Sequence, residues 1–142
     1  TNSGYIRRRY TKKKVKINNK PLHYISSDGF HIYVGKNNLQ NDQLTFHFAV
    51  GNDWWFHAKQ APGSHVIVRT NGAELPDTTF EEAARLAAYY SSMRGSDKVE
   101  IDYVEKKQVK KPGGGKPGFV VYYTNYSMVI DSNISQIRLC AD

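Results

Sequence analysis

The chain has one cysteine, Cys140, so no disulfide can form within it, which fits a reducing compartment. No apolar run approaches the ~20 residues needed to cross a bilayer, and no signal peptide is expected. Several signatures of catalysis are missing as well. There is no HxH or HExxH pair for zinc and no G-x-S-x-G elbow around Ser64, whose neighbour His65 would point to the other side of a strand. The glycine run 113–115 departs from a phosphate loop, because Pro117 stands where Ser or Thr would hold magnesium. No internal repeat is visible. The first 20 residues contain no acid at all.

What is present is aromatic and basic. Ten Tyr, six Phe and two Trp stand within a hydrophobic content of 39%, enough large side chains to build one core in a single domain of 142 residues. Of the 20 Lys and Arg, eight fall within residues 1–20: Arg7, Arg8, Arg9, Lys12, Lys13, Lys14, Lys16 and Lys20. The remaining 12 face 13 acids over 122 residues, a net of −1, so the overall +7 comes from an arm. A second basic cluster, Lys106, Lys107, Lys110, Lys111 and Lys116, surrounds Gly113-Gly114-Gly115. Such clusters supply sequence-independent affinity for phosphates.

Residues 1–20 are expected to form a basic arm and residues 21–142 a domain. His23–Ser26 and Phe30–Val34 suit two strands joined at Asp28-Gly29. A weak helical face covers Asn38–Ala49, between Gly35 and Gly51. Trp54–Lys59 and His65–Arg69 suit strands around a turn at Ala61–Ser64, the second buried on both faces. A helix is expected over Thr79–Met93, capped by Asp77 or Thr78 and stopped by Gly95, with Phe80, Ala83, Ala84, Ala87, Ala88 and Met93 as its apolar stripe. Val99–Val104, Phe119–Thr124 and Ser127–Asp131 complete the strands, with Asn125-Tyr126 as a turn. The class expected is α+β, a single domain with a mixed, largely antiparallel sheet and about two helices packed on one side of it.

Polar residues crowd Lys36, Asn37, Asn38, Gln40, Asn41 and Asp42 more densely than a loop or a helix cap requires. Amides donate and accept, so the group suits base edges, ribose hydroxyls or backbone amides. In the strand Asn52–His57, Trp54 and Phe56 share one face and Trp55 and His57 the other. One face can then be core and the other a stacking surface, with core for both tryptophans as the plain alternative. A short turn brings His57 near His65. With Asp53 or Asp42 these would outline a metal or acid–base site, but hydrogen-bonded structural or RNA-contacting histidines suit the pattern better.

Read together, Y-I-S-S-D-G-F-H-I-Y-V-G-K-N-N-L-Q-N-D-Q-L-T, N-D-W-W-F-H-A-K, P-G-S-H-V-I-V, E-A-A-R-L-A-A-Y-Y-S, V-E-I-D-Y and V-K-K-P-G-G-G-K-P-G-F-V-V-Y resemble the NFACT-R domain, or DUF814 region. These blocks run in order from Tyr24 to about Tyr123. Trp55, where an aliphatic residue is frequent, and Gly113, where Ser is common, depart from the family's usual pattern. The family includes the bacterial ribosome quality-control factor and carries the older name fibronectin-binding protein A.

The resemblance implies an RNA-binding domain of a cytoplasmic protein, not an enzyme, with no cofactor. It implies as partners tRNA and the large ribosomal subunit obstructed by peptidyl-tRNA. There the whole protein recruits tRNA so that the stalled chain gains a C-terminal tail, and much of the tRNA discrimination belongs to its N-terminal part. Residues 1–20 would be the exit from a preceding coiled coil. The expected RNA-binding residues are Lys36, Asn37, Asn38, Gln40, Asn41, Asp42, His57, Lys59, His65, Lys110, Lys111 and Lys116. An adhesive, fibronectin-binding module and an enzyme built on the histidines are the rival readings.

Overall fold

A computed structural model of the protein describes residues 20–140. The expected arm therefore lies outside the described residues, Lys20 excepted. Strands β1 (Leu22–Ile25) and β2 (His31–Val34) form the first hairpin, and Gly29 in its turn takes φ +89°, a value that favours glycine. The segment expected as one helix divides into α1 (Asn38–Gln43) and a π-helical turn (Leu44–Phe48). Strands β3 (Trp54–Ala58) and β4 (Val66–Val68), helix α2 (Asp77–Tyr89), and strands β5 (Val99–Glu105), β6 (Tyr126–Ile130) and β7 (Arg138–Leu139) follow. The seven strands lie in the order β6-β5-β3-β4-β2-β1-β7, each neighbour antiparallel to the next. The class is α+β, with two helices packed on an antiparallel sheet.

Alternation along β3 assigns the two faces of the sheet. Phe56 and Ala58 point to one side with Ile32, Val34, Val66 and Val68, while Trp55 points to the other with Ile67 and Val104. All of β4 is buried, as its unbroken apolar run predicts. Helix α2 covers the first side. Its Ala83, Ala84, Ala87 and Ala88 are fully buried, and such small side chains let the helix backbone approach the sheet. Leu86, which the expected stripe omits, is buried among them. Burying a side chain of the size of Leu86 or Phe56 contributes roughly 1.5–3 kcal/mol.

The start of α2 differs from the expected cap. The helix begins at Asp77 behind Pro76, with no side-chain capping bond. Its first turns instead hold the β1–β2 turn. Thr79 Oγ1 donates to Asp28 Oδ2 (2.8 Å) and meets Ser26 Oγ (2.9 Å), and buried Glu82 accepts from the Ser27 amide at 2.7 Å. The helix stops at Tyr89, so Met93 lies beyond it and is exposed.

The second side of the sheet is covered by different material. The π-helical turn brings Leu44, and residues 109–122 bring Val109, Val120 and Tyr122, onto Trp55 and Val104. Helical segments therefore flank both faces, not one. Phe119–Thr124 is not a strand. Val121 pairs only with Lys110, the glycine loop between them folds the chain back, and Val120 and Tyr122 turn inward as a cover over the sheet. Strand β6 begins at Tyr126, which the sequence reading placed in a turn.

Candidate functional site

The amide-rich segment is tied into the fold at several points. Asn37 caps α1, its Oδ1 accepting from the Gln40 amide at 2.9 Å. Gln40, only 5% exposed, accepts at Oε1 from the Lys36 amide at 2.9 Å. Asn41, 4% exposed, accepts at Oδ1 from the His65 amide at 3.1 Å, which joins α1 to β4. Gly35 is required for that contact, since a Cβ there would fall 2.0 Å from Asn41 Oδ1. Asp42 accepts from the Gly118 amide at 3.2 Å and from Lys111 Nζ. Burial disfavours its charge, but those two bonds, with the neighbouring Lys111 and His47 charges, together hold its carboxyl below the usual range. Lys36, Asn37 and Asn38 stand at the surface.

The two histidines do come together. Their rings lie 5.6 Å apart, edge to face. His65 is enclosed, with Nδ1 2.7 Å from Thr45 Oγ1 and Nε2 3.1 Å from the Gly118 carbonyl. A carbonyl only accepts, so Nε2 carries the proton and Nδ1 accepts from the threonine hydroxyl. Burial, then the neighbouring His57, push the His65 pKa down to about 3, so the ring is neutral at pH 7. Burial also lowers the pKa of His57, against hydrogen bonds to the backbone of Ala58 and Gly63 and the charge of Asp102.

Asp102 lies opposite His57 in the β3–β5 pairing. It accepts from Tyr122 Oη (2.7 Å) and Ser127 Oγ (2.9 Å), and Lys59 Nζ stands 3.5 Å away. Burial, and then the bond to this carboxylate, hold the Tyr122 phenol protonated. Lys59 also reaches Glu100 at 3.4 Å.

These groups border a cleft of about 490 Å³, lined by Asn38, Asn41, Trp55, His57, His65 and Tyr122, with Gly118 and Phe119 among the residues of its mouth. Trp55 is 0% exposed and packs 5.0 Å from the Tyr122 ring. Among the described residues no group accepts from its Nε1–H. The glycine-rich loop reaches the cleft through Gly118 and presents Lys110, Lys111 and Lys116 on the surface, Lys111 against Asp42.

Of the residues expected from sequence, the structure thus gathers Asn38, Asn41, Asp42, His57, His65 and Lys111 around one cleft. Lys59 lies one strand position beyond Ala58, engaged with β5. Lys36 and Asn37 sit at the start of α1, outside the cleft lining. The sequence reading missed Tyr122 and Phe119 as lining, because it placed both in a strand. Among the described residues no three His, Cys, Asp or Glu side chains are grouped to hold a metal ion. Of the two carboxylates expected to complete such a group, Asp53 is bound to Arg69 at 3.1 Å and to the Thr70 amide, and Asp42 to Lys111 and the Gly118 amide. No helix among the described residues is long and apolar enough to cross a membrane.

An antiparallel α+β domain, with a ring-lined cleft on one sheet face and a basic loop at its mouth, is the class these observations define. The family model described as the NFACT protein RNA binding domain matches residues 20–123, and the chain belongs to that family. It is 49% identical over 121 residues to the Rqc2 homolog RqcH of Streptococcus suis strain 05ZYH33, covering 84% of this chain and 22% of the relative. Against the Rqc2 homolog RqcH of Bacillus subtilis strain 168 the identity is 43% over 129 residues, 89% of this chain and 22% of the relative. The chain therefore spans about a fifth of the length of these curated relatives. Among solved structures, the C-terminal part of the fibronectin/fibrinogen-binding protein from Streptococcus suis matches with a TM-score of 0.78 and 46% identity, over 82% of this chain and 47% of that one.

Proposed function

We propose that the chain is an RNA-binding module of a cytoplasmic factor in ribosome-associated quality control. It would contact tRNA and the large ribosomal subunit carrying stalled peptidyl-tRNA, and support recruitment of tRNA for C-terminal tailing of the nascent chain. Its role is binding, not catalysis. The observation that carries this reading is the juxtaposition of a lysine-bearing glycine loop with a cleft lined by rings and amides, the two chemistries that hold phosphates and bases. Family membership and the likeness to the Rqc2 homolog RqcH support it.

Fluorescence anisotropy against deacylated tRNA over a salt series tests it, with a large-subunit pull-down alongside. Each phosphate contact adds roughly −0.7 to −0.9 to the slope of log affinity on log salt. Replacing Lys110, Lys111 and Lys116 by Ala is expected to flatten that slope by about 2 and to weaken binding. A flat salt dependence in the unaltered chain refutes the reading.

A second reading has one observation of its own, the fibronectin/fibrinogen-binding name of the similar solved chain. Saturable binding of purified fibronectin that RNA does not displace would favour it.

A further inference from the structure

We propose that the cleft bordered by Trp55, Tyr122 and Phe119 takes a single nucleobase, unstacked from its neighbours in the strand and laid on the exposed Phe119 ring. This rests on the RNA-binding reading and names the part of the RNA that the cleft receives.

Three observations converge on the cleft whose floor is the fully buried Trp55 indole.

The walls are rings. Trp55 stacks on His57 with centroids 5.7 Å apart and 10° between planes, Tyr122 leans on Trp55, and Phe119 is 57% exposed at the mouth. An exposed aromatic beside a ring-lined hollow offers a face on which a base can stack.

The cleft is electrically neutral inside and basic outside. His57 and His65 both favour the uncharged form, Asp102 is covered by Tyr122, Ser127 and Lys59, and Asp42 is paired with Lys111. Lys110 and Lys116 stand exposed on the loop that delivers Gly118 to the mouth. A neutral ring with a phosphate attached matches that division; a phosphate alone or an acidic side chain would leave the rings unused.

The rim carries edge-reading groups. Asn38 and Gln60 are exposed lining residues whose amides donate and accept, as base edges do. At about 490 Å³ the hollow lies in the lower part of the ~300–1,000 Å³ range of small-ligand sites and admits one base with part of its ribose, not a duplex.

The test compares a ten-nucleotide single-stranded RNA with an abasic ribose–phosphate strand of equal length, using the 142-residue chain labelled with ¹⁵N in its two indoles. The base-bearing strand is expected to bind about 5- to 150-fold more tightly. The Trp55 indole resonance should shift while that of Trp54, on the other sheet face, stays. Phe119→Ala, at an exposed position, should remove at least half of the logarithmic difference between the two strands. Equal binding of both strands overturns the base site and leaves the RNA reading standing. Tighter binding of the base-bearing strand without movement of Trp55 also overturns the site, since the stacking then lies elsewhere. Failure of both strands to bind at low salt overturns the two proposals together.

Discussion

The two faces of the sheet are built from the same strands and used differently. On the α2 face, Ile32, Val34, Phe56, Val66, Val68 and the helix alanines make a continuous apolar layer, with Ser26, Thr79 and Glu82 buried at its hairpin end. On the cleft face a smaller apolar cluster around Trp55, Ile67 and Val104 shares its space with buried Gln40, Asn41, Thr45, His65 and Asp102. Apolar burial is forgiving of exact geometry, whereas a buried polar group must find its partner. One face can therefore supply stability cheaply, and the other can hold side chains at fixed angles.

The largest expected effect comes from breaking the apolar face. Leu86→Ala should lower unfolding free energy by about 2–5 kcal/mol in urea titration, while RNA affinity measured under folded conditions stays within twofold. A loss of affinity at intact fold would dissolve the division between the faces.

Acid should act on the cleft face. The folded-state pKa of His65 lies at about 3, below its ordinary value near 6.5, so the unfolded chain binds a proton that the folded chain refuses. The stability due to neutral His65 is complete above pH ~6.5 and is lost as pH falls toward 3. The expected slope is up to about 1.4 kcal/mol per pH unit, with His57 adding in the same direction. Urea titrations at pH 7, 6, 5 and 4 measure it, and a variant His65→Gln should show a shallower slope.

The smallest effect on the fold is expected from the loop. Lys110→Ala with Lys116→Ala should change stability by no more than about 0.5 kcal/mol, because both side chains are exposed. Thermal melts of the double variant beside the unaltered chain check this directly.

What the sequence made legible was local and periodic. Alternation in Trp54–His57 placed the two tryptophans on opposite faces; the structure has Trp54 edge-on to Phe80 of α2 at 4.9 Å and Trp55 in the cleft wall. Alanine spacing located α2, and Asp28-Gly29 located the first turn. What it hid depended on partners distant along the chain. Asn41 is explained by the His65 backbone, 24 residues on, and Asp42 by Gly118, 76 residues on. Phe119–Tyr122 has the composition of a strand, and only the fold shows that it lies over the sheet instead of joining it. Two-residue β7 has no periodicity to detect.

That short strand ties the far end of the domain to its beginning. Arg138 and Leu139 pair with Ile25 and Tyr24, and the Cys140 amide donates to the His23 carbonyl at 2.8 Å. During synthesis β1 leaves the ribosome more than a hundred residues before the strand that covers its outer side. A copy cut short before Arg138 would hold nearly the whole core yet carry a sheet edge with unpaired backbone groups, the surface on which chains aggregate. Two residues of strand thus cover part of one sheet edge, while β6 remains the edge at the other side.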